Sequence, residues 1–220
     1  MDWIDLWNYV WSNQEELIHM VWQHLTLVIL ATGVATFGGV SLGILITRPS
    51  FQCLRQPVMV PCNVGQVVPS LAILSLMMPL LGIGFRPAFF AILIYILLPI
   101  TRNTYVGIRE VDPAAIEAAR GMGMSGWQIL TRLELPLAGH VILAGIRTSM
   151  VIAVGVATLA TFIGAGGLGD LIDMGLSLMN PTYLYTGAIL AALLAIGIEI
   201  GLSRVERHIV PKGLSEQNRV

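Results

Sequence analysis

Residues 21–47 read VWQHLTLVILATGVATFGGVSLGILIT, without a single Asp, Glu, Lys or Arg. A stretch of about 20 apolar residues is long enough to cross a hydrocarbon layer of about 30 Å. Inside lipid each backbone N–H and C=O must find an internal partner, so such a run is a helix. Four further runs of the same character follow, over residues 57–81, 87–108, 137–164 and 182–203. The fold class this predicts is an all-α integral membrane protein with about five transmembrane helices. A closed barrel would show alternating segments of about ten residues, and these runs do not alternate.

Composition agrees. The 220-residue chain is 55% hydrophobic and 11% charged, where soluble domains carry about 25% charged residues. Its net charge of −1 provides no basic field for nucleic acid. Cys53 and Cys62 have no cysteine or histidine neighbours at metal-ligand spacing, so they read as free thiols. The first twenty residues hold Asp2, Asp5, Glu15 and Glu16 and no Lys or Arg, unlike a cleavable signal. Trp3, Trp7 and Trp11 recur every four residues, which stacks them on one helical face suited to the membrane interface. Residues 1–20 therefore read as an interfacial helix, with a frayed tail as the alternative. The membrane domain covers 21–205, and 206–220 form a tail.

The basic residues set the orientation. With the N-terminus outside, eleven of the twelve Lys and Arg residues fall on the inner side and only Arg86 on the outer. Inner loops carry that excess. Gly39 with Gly43, and Gly197 with Gly201, form G-x-x-x-G pairs in the first and last spans, a spacing that lets helices approach closely.

The longest polar stretch, residues 109–136, then lies on the cytoplasmic face between the third and fourth spans. Asp112-Pro113 reads as a helix start. Residues 114–120 are mostly strong helix formers, and Gly121 and Gly123 interrupt them. Ser125 and Gln128 suit a capping box for a second short helix, which Pro136 ends or kinks into the next span. Ile116, Ala119 and Met122 form one apolar edge. That edge is either a docking surface for a protein or a connector resting on headgroups.

Glu117-Ala118-Ala119, Gly123 after three further residues, and Leu133-Glu134-Leu135-Pro136 resemble the cytoplasmic signature of bacterial ABC-importer permeases. Leu133 stands where that family usually has isoleucine. Residues 99–104, PITRNT, residues 111–113, VDP, residues 121–124, GMGM, and residues 163–171, IGAGGLGDL, resemble the osmoprotectant branch, which imports glycine betaine, carnitine, choline and related amines. The five-helix methionine importers share much of this pattern. The likeness spans roughly residues 20–205.

The resemblance implies a permease subunit of the bacterial inner membrane that pairs with a second permease, identical or paralogous. It implies ABC ATPase subunits that grip a coupling helix in the 109–136 loop, and an extracytoplasmic substrate-binding protein. Glu117, Ala118, Ala119, Gly123, Leu133, Leu135 and Pro136 are the expected coupling residues. The chain has no G-x-x-x-x-G-K-[ST], and its only lysine is Lys212. No cofactor is therefore expected in it, and ATP and Mg²⁺ belong to the partner ATPase.

Gly164, Gly166 and Gly169 spell G-x-G-x-x-G, but they follow a membrane span, not the strand a dinucleotide site needs. With Gly167 they read as a compact turn on the outer side, at an outer gate or at the binding-protein contact. Arg147 reads as an intramembrane charge or, with soft span boundaries, as a residue snorkelling to the interface. Glu199, near Arg204, reads as structural, and His24 as an interfacial or packed histidine. The 16 aromatic residues form no clear cation–π cage. A methionine or other amino-acid permease is the nearest alternative. An ion-coupled secondary transporter would need midplane carboxylates or repeated halves, and a membrane scaffold would leave the loop signature to coincidence.

Overall fold

In the computed structural model, residues 3–209 are described, and every regular element among them is helical. Met1, Asp2 and residues 210–220, which include Lys212 and Arg219, lie outside the described residues. Ten helices follow in order: α1 (Trp3–Ser12), α2 (Gln14–Thr47), α3 (Gln52–Val64), α4 (Ser70–Leu81), α5 (Phe85–Arg109), α6 (Pro113–Gly121), α7 (Gly126–Ile129), α8 (Leu135–Leu159), α9 (Leu168–Ser177) and α10 (Pro181–Ile209). Four continuous helical stretches are long and apolar enough to span a membrane, over Gln14–Thr47, Phe85–Arg109, Gly126–Ile163 and Pro181–Glu206.

The fifth expected span, residues 57–81, is not one helix. It is a bent pair, Pro49–Val67 with Ser70–Leu81, turning through 110°. The physical cause is Pro69. A proline clashes with a helical residue before it, and Val68 accordingly sits in extended geometry (φ −68°, ψ 126°). The Tyr95 hydroxyl donates to the freed carbonyl of Gln66 at 3.4 Å, a side-chain partner of the kind an interrupted helix needs inside a membrane.

The core is a three-helix seam of α2, α5 and α8 with α4 laid across it. Leu27, Val28, Ala31 and Ala35 of α2 meet Ala88, Ala91, Ile92, Ile96 and Ile100 of α5 and Ala153, Val154 and Ala157 of α8. The three-and-four spacing of these residues is the stripe of one helix face. The two G-x-x-x-G pairs part company here. A Cβ on Gly43 would lie 2.6 Å from Thr104 Cβ and 2.9 Å from the Thr101 carbonyl oxygen, so this glycine is what lets α2 touch α5. Gly197 and Gly201 have no atom within 4 Å of such a position.

α2 begins seven residues earlier than the apolar run, with Glu15 and Glu16 in its first turn, where acidic side chains favour the positive end of the helix dipole. Residues 14–20 thus continue the span, and only α1 is separate. α1 leans on α10 through Tyr9 and Tyr183, whose rings meet edge to face at 5.0 Å. Trp7 and Trp11 stack at 5.8 Å on the opposite, exposed side.

Candidate functional site

The sequence signature folds into a capped helix at one end of the bundle. The Asp112 side chain accepts from the Ala114 N–H at 2.8 Å, and Pro113 opens α6. At the far end Gly123 adopts φ +80°. The Gly123 N–H donates to the Arg120 carbonyl at 2.9 Å and the Met124 N–H to the Ala119 carbonyl at 3.1 Å. That pair of bonds is a Schellman cap, whose left-handed residue is usually glycine. Ser125 and Gln128 form a reciprocal capping box at 3.3 and 2.8 Å.

Of the two readings of Pro136, the structure takes the one in which the second helix carries on into the next span. α7 runs through a π turn, Leu130–Glu134, directly into α8. The Leu135 N–H donates to the Leu130 carbonyl five residues back. This wider turn accommodates Pro136, which has no N–H to give to the carbonyl four residues behind it. Arg48, just past the C-terminal end of α2, pairs with Glu134 in the π turn at 2.5 Å.

The predicted coupling residues are therefore divided. Glu117, Ala118 and Gly123 are exposed, while Ala119 is buried under α6. Of the expected apolar edge, Ile116 is half-buried, Ala119 points inward and Met122 is 76% exposed. Leu133 and Leu135 are half-buried; Leu135 packs against the cluster of Ile108, Ala138 and Ile142. Pro136 is exposed beside them, so the end of the signature builds the root of α8, away from the exposed face of α6. Trp127, 72% exposed one turn further on, escaped the sequence reading because it follows the signature glycine. A cavity of about 250 Å³ separates α6 from the ends of α2 and α5, lined by Arg109, Glu117, Arg120 and Glu134 among others. α6 thus stands off the bundle and offers its outer surface.

At the opposite end of α8 the four glycines form the expected compact turn. Gly164, Gly166 and Gly167 have φ of +73°, +78° and +99°, where glycine alone is unstrained. Gly169, in the first turn of α9, would place a Cβ 2.1 Å from the Thr158 carbonyl oxygen. The turn is seated on α2: a Cβ on Gly166 would meet Gln23 Oε1 at 2.9 Å, and one on Gly167 would meet His24 Nδ1 at 3.2 Å. His24 is fully buried, and its Nε2 donates to the Val154 carbonyl at 3.2 Å. The Gly84 N–H donates to the Ile163 carbonyl at 2.7 Å, tying the loop before α5 to the same turn. Thr161 donates to the Asp170 carboxylate across it.

Arg147 is paired with two carboxylates of α10. Its Nε meets Glu199 at 3.2 Å and its Nη1 meets Glu206 at 2.9 Å, so it pins α8 to α10. Glu199, expected as a structural residue near Arg204, is held by this arginine of another helix.

The family model described as "Binding-protein-dependent transport system inner membrane component" matches residues 39–212. The carnitine transport permease protein OpuCB of Listeria monocytogenes is 44% identical over 205 residues, covering 93% of each chain. The glycine betaine/carnitine/choline transport system permease protein OpuCB of Bacillus subtilis is 42% identical, covering 96% of this chain and 97% of its own. The osmoprotectant import permease protein OsmW of Salmonella typhimurium is 41% identical, covering 96% and 100%. Among solved structures, a chain of the MetNI methionine ABC transporter in an inward-facing conformation matches with TM-score 0.81 at 24% identity, covering 89% of this chain and 96% of its own. A likeness at that identity speaks for the fold alone. With a family match over most of its length and relatives above 40% identity end to end, the chain belongs to the binding-protein-dependent transport system inner membrane components.

Proposed function

We propose that this chain is the permease subunit of an ATP-driven importer of quaternary-ammonium osmoprotectants, of the glycine betaine, carnitine, choline and proline betaine type. The observation that carries the reading is the agreement of relatives 41–44% identical over almost the whole chain, all named for osmoprotectant, carnitine or choline transport. The structural likeness to a methionine transporter lies at 24% identity and carries no substrate.

In this reading the N-terminus is outside and the C-terminus cytoplasmic, and α1 lies in the outer interface with Trp7 and Trp11 toward lipid. Two permeases pair around a pathway. An ABC ATPase subunit, which binds ATP and Mg²⁺, grips α6 of each. Glu117 and Ala118 on the exposed face, with the turn at Gly123, are the contact; the buried Ala119 faces the bundle. ATP binding draws the ATPase pair together. The motion passes through α6 and the capped α7 into α8, which is continuous with α7 and therefore moves with it. The result is alternating access by rigid-body movement. The outer turn at Gly164, Gly166, Gly167 and Gly169 sits where a loaded binding protein or an outer gate would act.

The test is uptake by vesicles holding the chain with its ATPase and binding protein. Labelled glycine betaine, carnitine or choline accumulates with ATP inside, and excess methionine does not compete. Accumulation of methionine in place of the amines overturns the substrate. Uptake by the chain with no ATPase present overturns the whole reading.

A further inference from the structure

On the flank of the bundle, the inner end of α2 and the start of the α7–α8 helix leave a cleft of about 460 Å³. Ile44 and Leu45 form one wall, and Trp127 and Leu130 the other. Arg48 and Arg120 stand at its inner end. The two guanidiniums differ. Arg48 is answered by Glu134 at 2.5 Å. Arg120 is exposed, and among the described residues its guanidinium has no ion pair or hydrogen bond. The cleft thus combines apolar walls with one uncompensated cation at the mouth.

Its depth decides what fits. Ser41 also lines it and lies seven residues before Arg48 in the same helical run, about 10 Å along the axis at about 1.5 Å per residue. That run belongs to an apolar span, so the floor lies in hydrocarbon while the mouth lies at headgroup level. A water-soluble protein docked on α6 reaches the mouth alone. A molecule with an anionic head and an acyl tail fills both. Trp127, exposed at the border, has the half-apolar ring that favours this level.

We infer that this cleft is a binding site for an anionic phospholipid of the inner leaflet. Its phosphate pairs with Arg120, and its acyl chain lies along Ile44, Leu45 and Leu130 beneath Trp127. The site rests on the inner-face placement of α6 and on no other part of the transport reading. Substrate uptake and lipid occupancy are read separately, so either can fail alone.

The test uses the full chain with Trp3, Trp7, Trp11 and Trp22 changed to Phe, leaving Trp127 as sole fluorophore. It is reconstituted, with and without its partner ATPase, into phosphatidylcholine vesicles. These carry a minor fraction of dibrominated phosphatidylglycerol or, in the second arm, dibrominated phosphatidylcholine. Bromine quenches tryptophan on contact. The expected result is an about five-fold preference for the brominated anionic lipid, which corresponds to about 1 kcal/mol for one arginine near the surface. The preference falls to unity in Arg120→Gln and persists in Arg120→Lys, with unchanged helicity in each. Equal quenching by the two lipids, or a preference indifferent to Arg120, overturns the site and leaves ordinary boundary lipid. Loss of quenching when the ATPase binds overturns it in favour of a protein interface.

Discussion

Gly167→Ala strikes the point where the turn after α8 is seated on α2. Gly167 has φ +99° and ψ −162°, a region reserved for glycine, and forcing another residue into it costs about 1–3 kcal/mol. The new methyl group would also lie 3.2 Å from His24 Nδ1, 3.3 Å from His24 Cβ and 3.4 Å from His24 Cα. His24 cannot swing away, since its Nε2 is bonded to the Val154 carbonyl and the ring is 1% exposed with its residue. Overpacking of this kind adds about 1 kcal/mol or more. The expected loss is therefore about 2–4 kcal/mol. Gly155→Ala is the control: it lies in α8 with nothing within 4 Å of a Cβ, and alanine gains up to about 1 kcal/mol over glycine in a helix. Equilibrium unfolding of the purified chain in mixed detergent reads both. In the double variant with His24→Ala the steric part disappears and the backbone part remains, so the two costs add to less than their sum. If Gly167→Ala unfolds within a few tenths of a kcal/mol of the parent, the turn is not locked onto His24 and the reasoning fails.

The two G-x-x-x-G motifs give opposite signs. Gly43→Ala, with contacts of 2.6 and 2.9 Å to Thr104 and the Thr101 carbonyl, loses about 1–2 kcal/mol after its helix-propensity gain, whereas Gly201→Ala in the isolated chain is neutral or stabilising; the same unfolding assay separates them, and equal effects would contradict the α2–α5 packing. Arg147→Met leaves Glu199 and Glu206 without their shared partner, and since side-chain exposures of 22–47% soften the penalty, the expected cost is about 1–3 kcal/mol. Adding Glu199→Gln and Glu206→Gln restores much of that loss in the unfolding assay, and no recovery would show that Arg147 acts by packing alone.

What the sequence disclosed was mostly local. Apolar runs marked the spans, and Asp112-Pro113 and Ser125 with Gln128 marked helix starts, because each cap is closed by residues two or three apart. The break at Pro69 carried a signal, yet the apolar run continues across it, and hydropathy does not report direction. α9 went unnoticed between the last two spans: it is ten residues long, too short for a span, and it holds its place through packing on α10. The partners of Arg147 lie 52 and 59 residues away on another helix, a distance at which no spacing rule operates. The exposed and buried halves of the Glu117-Ala118-Ala119 triplet were equally hidden, since which side of α6 faces the bundle depends on how the Met122 and Gly123 turn directs the chain into α7.

The claim that α6 is the grip of a partner ATPase is tested most directly by cross-linking. Ala118→Cys, in a chain with Cys53 and Cys62 changed to Ser, is exposed on the outer surface of α6. In vesicles of known sidedness that contain the partner ATPase, a short bifunctional maleimide is expected to join this residue to the ATPase. A membrane-impermeant maleimide added from the extracytoplasmic side is expected to leave it untouched. Labelling from that side, or an efficient cross-link to the substrate-binding protein instead, would contradict the account.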